Sequence, residues 1–90
     1  MKESRQARYY YLRSILRNPG NTISYYNLAC AYAVAGKPGR AFACLKKSVD
    51  KGYRDFEWLR KDGDLRSLLR APFVLRWVEV QEEMTEGTLF

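Results

Sequence analysis

The sequence predicts an all-α fold of about five helices, arranged as antiparallel helix-turn-helix units. Three observations lead to this prediction. Apolar residues recur three and four positions apart, which places them on one face of a helix. Turn-forming Gly, Pro and Asn residues divide the 90 residues into segments of helical length. The chain also resembles itself after a shift of 34 residues, a period typical of stacked helical repeats.

The first predicted helix covers residues 3–17. Its apolar side chains share one face, and they are Ala7, Tyr11, Leu12, Ile15 and Leu16. The turn at residues 18–21 ends this helix. Asn21 or Thr22 can cap a second helix that runs to about Ala35, where Gly36 provides a left-handed C-cap.

Pro38 opens the third predicted helix, because its missing N–H would have no partner in a first helical turn. That helix ends near Gly52. Two short helices follow, one at about 55–61 and one that begins after Asp64. The last helix begins at Pro72, and its inward-facing side chains are Phe73, Val74, Trp77 and Val78.

The internal repeat gives the most specific signal. A shift of 34 residues places Ala7 on Ala41, Tyr11 on Leu45 and Ser14 on Ser48. The small residues let neighbouring helices approach, and the bulky ones fill the space between them. The full order of these positions is Tyr25, Leu28, Ala29, Tyr32, Gly36, Ala41 and Leu45.

This order resembles the tetratricopeptide repeat, a helix-turn-helix unit that stacks into an α-solenoid. Tyr53 replaces the usual closing Pro, so we expect the chain to leave the regular superhelix there. The resemblance divides a single domain of residues 1–90 into a half repeat (3–20), a complete repeat (22–55), a helical cap (56–84) and a loose tail (85–90).

The resemblance also implies a binding surface, because the first helix of each such repeat lines a concave groove that receives a partner protein. The groove positions in this sequence are Ile23, Tyr26, Asn27, Cys30, Ala33 and Val34. Some relatives use an Asn at the position of Asn27 to bind a terminal carboxylate with help from nearby cations. Here Glu57 stands where one cation belongs, although Lys61 fits, and the alternative is that Asn27 is a solvated groove residue.

A second candidate surface lies on the first helix. The net charge is +6, and residues 1–54 hold eleven Lys or Arg against two acidic residues, a net +9. Residues 55–90 hold five against eight, a net −3. The residues that define the candidate surface are Arg5, Arg8, Tyr9, Tyr10 and Arg13. Tyr beside Arg favours a protein interface, including association between copies of the chain, and the alternatives are plain packing and stacking on RNA bases.

The sequence gives no pattern for catalysis, and we expect no enzyme activity, cofactor or metal. Asp62 and Asp64 resemble a turn with a helix cap, and no His is present. Cys30 and Cys44 show no metal-ligand spacing and are expected to be small core residues in a reducing compartment. No apolar run reaches the length of a membrane span, and Met1–Arg8 does not resemble a secretory signal, so we expect the cytoplasm or the interior of an organelle.

Together these features predict a protein-interaction scaffold or adaptor that helps to assemble or hold a larger complex. The alternative is a basic accessory subunit that contacts RNA in a ribonucleoprotein. The two hypotheses differ in the salt dependence of binding, which is steep when phosphates are contacted.

Overall fold

The computed structural model describes residues 5–87, and within them every regular element is helical. The elements are α1 (Arg5–Arg17), α2 (Thr22–Val34), α3 (Pro38–Asp50), α4 (Phe56–Lys61), a short 3₁₀ helix (Gly63–Leu65), α5 (Arg66–Leu69) and α6 (Pro72–Gly87). The prediction of an all-α helical repeat is therefore confirmed, with six α-helices in this part of the chain. None of these helices is both long and apolar enough to cross a bilayer.

The turns between the first three helices form as the sequence predicts. The side chain of Asn21 accepts a hydrogen bond from the N–H of Ser24 at 3.0 Å, which caps α2. Gly36 and Gly52 follow α2 and α3 with φ of +78° and +120°, values that an L side chain rarely adopts. The next residue donates back to a carbonyl five positions earlier in each case, so both helices end in the same tight motif.

Helix α2 is the centre of the fold and packs against both α1 and α3. Ala29 and Ala41 are fully buried, and their small side chains let the backbones of α2 and α3 come close. Leu45 is also fully buried in this layer. The small and bulky positions of the repeat therefore fill the roles that the 34-residue shift predicts.

The segment from Tyr53 onward packs against the same core. Leu59, Leu65, Val74 and Val78 are all fully buried. Tyr53 stands where the repeat pattern has Pro, and its side chain is 7% exposed within the core. The last helix of the predicted cap, α6, continues past residue 84 to Gly87. The rest of the predicted loose tail, residues 88–90, lies outside the described residues.

Two side chains on the predicted apolar face of α1, and one in α6 that was expected to face inward, are exposed. Leu12, Leu16 and Phe73 are 44%, 81% and 67% exposed. Spacing along a helix predicts which residues share a face, but the width of the buried stripe depends on which neighbours cover it. α1 contacts α2 on one side, so only part of its apolar face is covered. Phe73 lies at the first turn of α6 and meets the edge of Phe42 instead of the interior.

Candidate protein-binding cleft

A cleft of about 250 Å³ opens between α1, α2 and the segment that contains α4 and the 3₁₀ helix. Helix α2 supplies one wall, and α4 with the residues after it supplies the other. The lining residues are Ala7, Tyr11, Tyr26, Asn27, Cys30, Ala31, Val34, Trp58, Asp62 and Asp64. We refer to these residues together as the cleft.

The floor of the cleft is a polar cluster centred on the carboxylate of Asp62. The hydroxyl of Tyr26 donates to Oδ2 of Asp62 at 2.7 Å, and the thiol of Cys30 donates to the same oxygen at 3.6 Å. The other oxygen, Oδ1, accepts the N–H of Asp64 at 3.0 Å. Asp62 therefore caps the 3₁₀ helix and also ties it to α2, across 36 positions of sequence. A hydrogen bond to a charged acceptor is stronger than a neutral one, so this contact fixes the second wall of the cleft.

The environment of the cluster keeps its donors protonated. Burial raises the pKa of Tyr26, and its hydrogen bond to Asp62 raises it further because the carboxylate favours the neutral hydroxyl. Burial also raises the pKa of the Cys30 thiol, as do the charges of Asp62 and Asp64. A thiolate is the nucleophilic form of cysteine, so Cys30 is poorly suited to nucleophilic chemistry.

Tyr53 lies behind the cluster. Its ring stacks on that of Tyr26 with centroids 4.6 Å apart and planes 14° from parallel. Burial raises the pKa of Tyr53 to about 12. Its hydroxyl is buried and has no hydrogen-bond partner among the described residues. A buried hydroxyl without a hydrogen-bond partner lowers the stability of the fold, and this one lies next to the cleft floor.

One group of side chains could offer ligands to a metal ion. The Sγ atom of Cys30 and carboxylate oxygens of Asp62 and Asp64 lie within 4.8 Å of one another. The fit to a structural zinc site is poor, because such a site uses four ligands and a deprotonated thiol. Here the thiol pKa is raised, and Asp62 already accepts three hydrogen bonds.

Four of the six predicted groove residues line the cleft, namely Tyr26, Asn27, Cys30 and Val34. The face of α2 predicted to line the groove is partly covered, because the segment after Tyr53 packs over α2. Tyr26, Cys30 and Ala33 are only 5%, 8% and 6% exposed, so they belong mainly to the core. Ile23 is 59% exposed but does not line the cleft. Asn27 and Val34 remain open to a partner.

The structure adds residues that the sequence did not predict for this site. Three come from α1 and α2 and three from the C-terminal segment, and they are Ala7, Tyr11, Ala31, Trp58, Asp62 and Asp64. The two Asp were predicted to form a turn with a cap, and they do. Their position against α2 carries no sequence signal, since it depends on how the C-terminal segment folds back. Glu57 and Lys61 form an exposed pair at 3.4 Å on α4, and neither residue lines the cleft.

The second predicted surface lies on α1. Tyr9 and Tyr10 are 57% and 64% exposed, and their ring centroids are 6.2 Å apart. The Arg13 guanidinium lies over the Tyr9 ring at 5.6 Å, whereas that of Arg8 lies over Tyr32 of α2 at 5.7 Å. The side chain of Arg5 lies outside the described residues. The structure therefore brings Tyr9, Tyr10 and Arg13 together and turns Arg8 toward the body of the fold.

The stacked antiparallel helices and the cleft beside α2 define a helical-repeat protein. Residues 10–43 match the family model of the tetratricopeptide repeat. This part of the chain is therefore similar to a tetratricopeptide repeat, and the match begins within α1 and ends within α3. The comparisons with curated proteins and with solved structures give no match.

Proposed function

We propose that this chain is a non-catalytic scaffold that binds a segment of another protein in the cleft and so helps to hold a larger complex together. The observation that supports it best is Trp58, a large aromatic residue that lines the cleft and is 52% exposed. Trp is enriched at the energetic centres of protein interfaces, and an exposed one beside an amide such as Asn27 suits a peptide contact. The repeat at residues 10–43 supports the same class of function.

The chemistry of the cleft supports a binding role over a catalytic one. Cys30 is its best candidate nucleophile, but burial and two neighbouring carboxylates raise the pKa of the thiol. Catalytic thiols instead have lowered pKa values beside a cation or a base. Cys30 and Cys44 are both free, which supports a reducing compartment as the place of action.

The exposed surface of α1 supports a second contact. Tyr9 and Tyr10 present two rings next to Arg13, on a helix whose described side chains include no acid. We propose that this surface binds another protein or a second copy of the chain. RNA is the competing partner, since bases stack on exposed aromatic rings beside cations.

Affinity capture tests the proposed function. The tagged chain is incubated with an extract of its host, with and without nuclease. We expect a discrete protein that is retained after nuclease and lost with the double variant Trp58→Ala and Asn27→Ala. Lys47→Ala is the matched control, because Lys47 is exposed on α3 and does not line the cleft. Recovery that disappears with nuclease, or that the double variant leaves unchanged, contradicts the proposal.

The α1 surface is tested separately by sedimentation and by salt titration. If α1 mediates self-association, the double variant Tyr9→Glu and Tyr10→Glu shifts the chain to a smaller species. If it contacts RNA instead, log affinity falls with log salt by roughly 0.7–0.9 for each phosphate contacted. If the double variant changes neither the oligomeric state nor the capture of a partner, α1 is not a binding surface.

A further inference from the structure

We propose that the cleft receives a cationic side chain, a lysine or an arginine, from the bound protein segment. This inference rests on the proposed function and specifies the partner of the same site. It also reverses the carboxylate-binding alternative that the resemblance offered for Asn27. The cleft offers such a side chain a negative charge, one free carboxylate and an aromatic wall.

The charge of the cleft is opposite to that of the chain. Its lining contains two carboxylates, Asp62 and Asp64, and includes neither Lys nor Arg. Of the neighbouring cations, Lys61 is paired with Glu57 and Arg60 with Glu82, whereas Arg66 is exposed, has no ion pair within the described residues and does not line the cleft. On a chain of net charge +6, the cleft is thus a local site of negative charge. A site of one sign, set against low-dielectric walls, concentrates ligands of the opposite sign.

The carboxylates of Asp62 and Asp64 differ in the hydrogen bonds that they accept. Asp62 accepts hydrogen bonds from a hydroxyl, a thiol and a backbone N–H, all of which are neutral, so its charge is not cancelled. Within residues 5–87 the structure gives the half-buried carboxylate of Asp64 neither a hydrogen bond nor an ion pair. It is free to accept a charge-assisted hydrogen bond from an ammonium or a guanidinium group.

The hydroxyl of Tyr53 is an unsatisfied polar group behind the cleft floor, although Tyr53 itself does not line the cleft. It is buried and has no partner among the described residues, and burial is the main cause that raises its pKa. Its ring stacks on Tyr26, whose hydroxyl already donates to Asp62.

The walls of the cleft suit the rest of a long cationic side chain. Trp58 lines it with half of its side chain exposed, and the face of an indole is the strongest aromatic partner for a cation. Ala7, Ala31 and Val34 provide apolar surface for the methylene stem. A volume of about 250 Å³ suits one inserted side chain better than a helix or a folded surface.

The test compares short peptides that differ in one side chain, by NMR with the ¹⁵N-labelled chain. The probes are Ac-Ala-Ala-X-Ala-Ala-NH₂ with X as lysine, arginine, norleucine or glutamate, blocked at both ends so that no terminal charge contributes. We expect saturable shifts at the Trp58 indole and at the amides of Asn27, Asp62 and Asp64. Lysine and arginine should bind about tenfold more tightly than norleucine, which has the apolar stem of lysine without its ammonium group.

Two variants localise the effect. Asp64→Asn keeps the size of the side chain and removes the free charge, so the lysine preference over norleucine should fall to about twofold or less. Asp50→Asn is the matched control, since Asp50 is exposed at the end of α3 and outside the cleft. It should leave the preference unchanged. Circular dichroism melting of both variants confirms that they fold.

Three results overturn the proposal: equal binding of lysine and norleucine peptides, no saturable binding at about 10 mM peptide, or an unchanged preference in Asp64→Asn. A zinc titration without peptide that shifts Cys30, Asp62 and Asp64 would assign the cleft to a metal and also overturn it. The proposed function fails separately. If capture from the host extract still depends on Trp58 and Asn27 while the lysine preference is absent, the cleft binds protein without a cation.

Discussion

Asp62→Ala should destabilise the fold more than any exposed Asp substitution. The side chain accepts the Tyr26 hydroxyl at 2.7 Å and caps the 3₁₀ helix through the N–H of Asp64. Loss of a hydrogen bond to a charged acceptor costs about 1.5–3 kcal/mol, and the buried Tyr26 hydroxyl is then left unpaired. Loss of a cap costs about 1 kcal/mol. Because Asp62 is only half-buried, we expect water to recover part of this, which leaves a decrease of about 2–4 kcal/mol in the free energy of unfolding.

Urea unfolding followed by circular dichroism measures the effect. A domain of this size has a total free energy of unfolding of roughly 5–13 kcal/mol. The expected loss, divided by the slope of the free energy against urea concentration, lowers the unfolding midpoint by roughly 1–3 M urea. Asp50→Ala is the control and should change stability by less than about 0.5 kcal/mol. A double-mutant cycle with Tyr26→Phe isolates the pair, and we expect a coupling of about 1–3 kcal/mol. A loss below about 1 kcal/mol for Asp62→Ala, or no coupling to Tyr26, would refute the view that this contact holds the cleft wall in place.

Three further changes test the account. Gly36→Ala should lower the free energy of unfolding by about 1 kcal/mol, because φ is +78° at that position. Gly39→Ala, inside α3, should raise the free energy of unfolding by about 0.5–1 kcal/mol, because an added Cβ meets nothing within 4 Å there. Equal effects of the two substitutions would contradict the assignment of Gly36 to the C-cap. Asn21→Ala should cost about 1 kcal/mol in the same urea assay, since it removes the bond to the Ser24 N–H, and no loss would mean that water replaces the cap. Because burial raises the pKa of Cys30 above its unfolded value of about 9, the native chain keeps a proton that the unfolded chain loses at higher pH. The contribution of this thiol to the free energy of unfolding is therefore fully present below about pH 9 and falls above it, at up to about 1.4 kcal/mol per pH unit. Cys30→Ala should make the free energy of unfolding fall less steeply with pH. Identical slopes for the variant and the unmodified chain would contradict the raised pKa.

The helix boundaries were accessible from the sequence because their causes are local. Asn21, Gly36 and Pro38 act within a few residues of the turns they form, through a side-chain cap, a positive φ and a fixed φ. The period of 34 residues also predicted that α2 packs on α3, because small residues at a fixed spacing let helices approach each other.

The exposure of individual side chains was harder to predict from the sequence. Helical spacing gave the correct shared face of α1 for Tyr11 and Ile15, which are half-buried, but not for Leu16, which is 81% exposed. The difference depends on neighbouring helices, which the spacing along one helix does not describe. Phe73 is a similar case at the start of α6.

The cleft was predicted only on the side of α2. Asn27 and Val34 follow from their position in the repeat, whereas Trp58 and Asp64 follow from the way the C-terminal segment folds over α2. The contact that fixes this arrangement joins Tyr26 to Asp62, and no local pattern links two residues so far apart. The same folding buries Tyr26 and Cys30, which the repeat alone would leave open.

Photo-crosslinking from position 58 tests most directly whether the cleft binds another protein. p-Benzoylphenylalanine replaces Trp58 in the tagged chain, which is irradiated in its host, and position 47 on α3 carries the same group as the control. The account predicts a discrete crosslinked protein from position 58 that is absent from position 47 and resists nuclease. Crosslinks only to nucleic acid, or equal crosslinks from both positions, would contradict it.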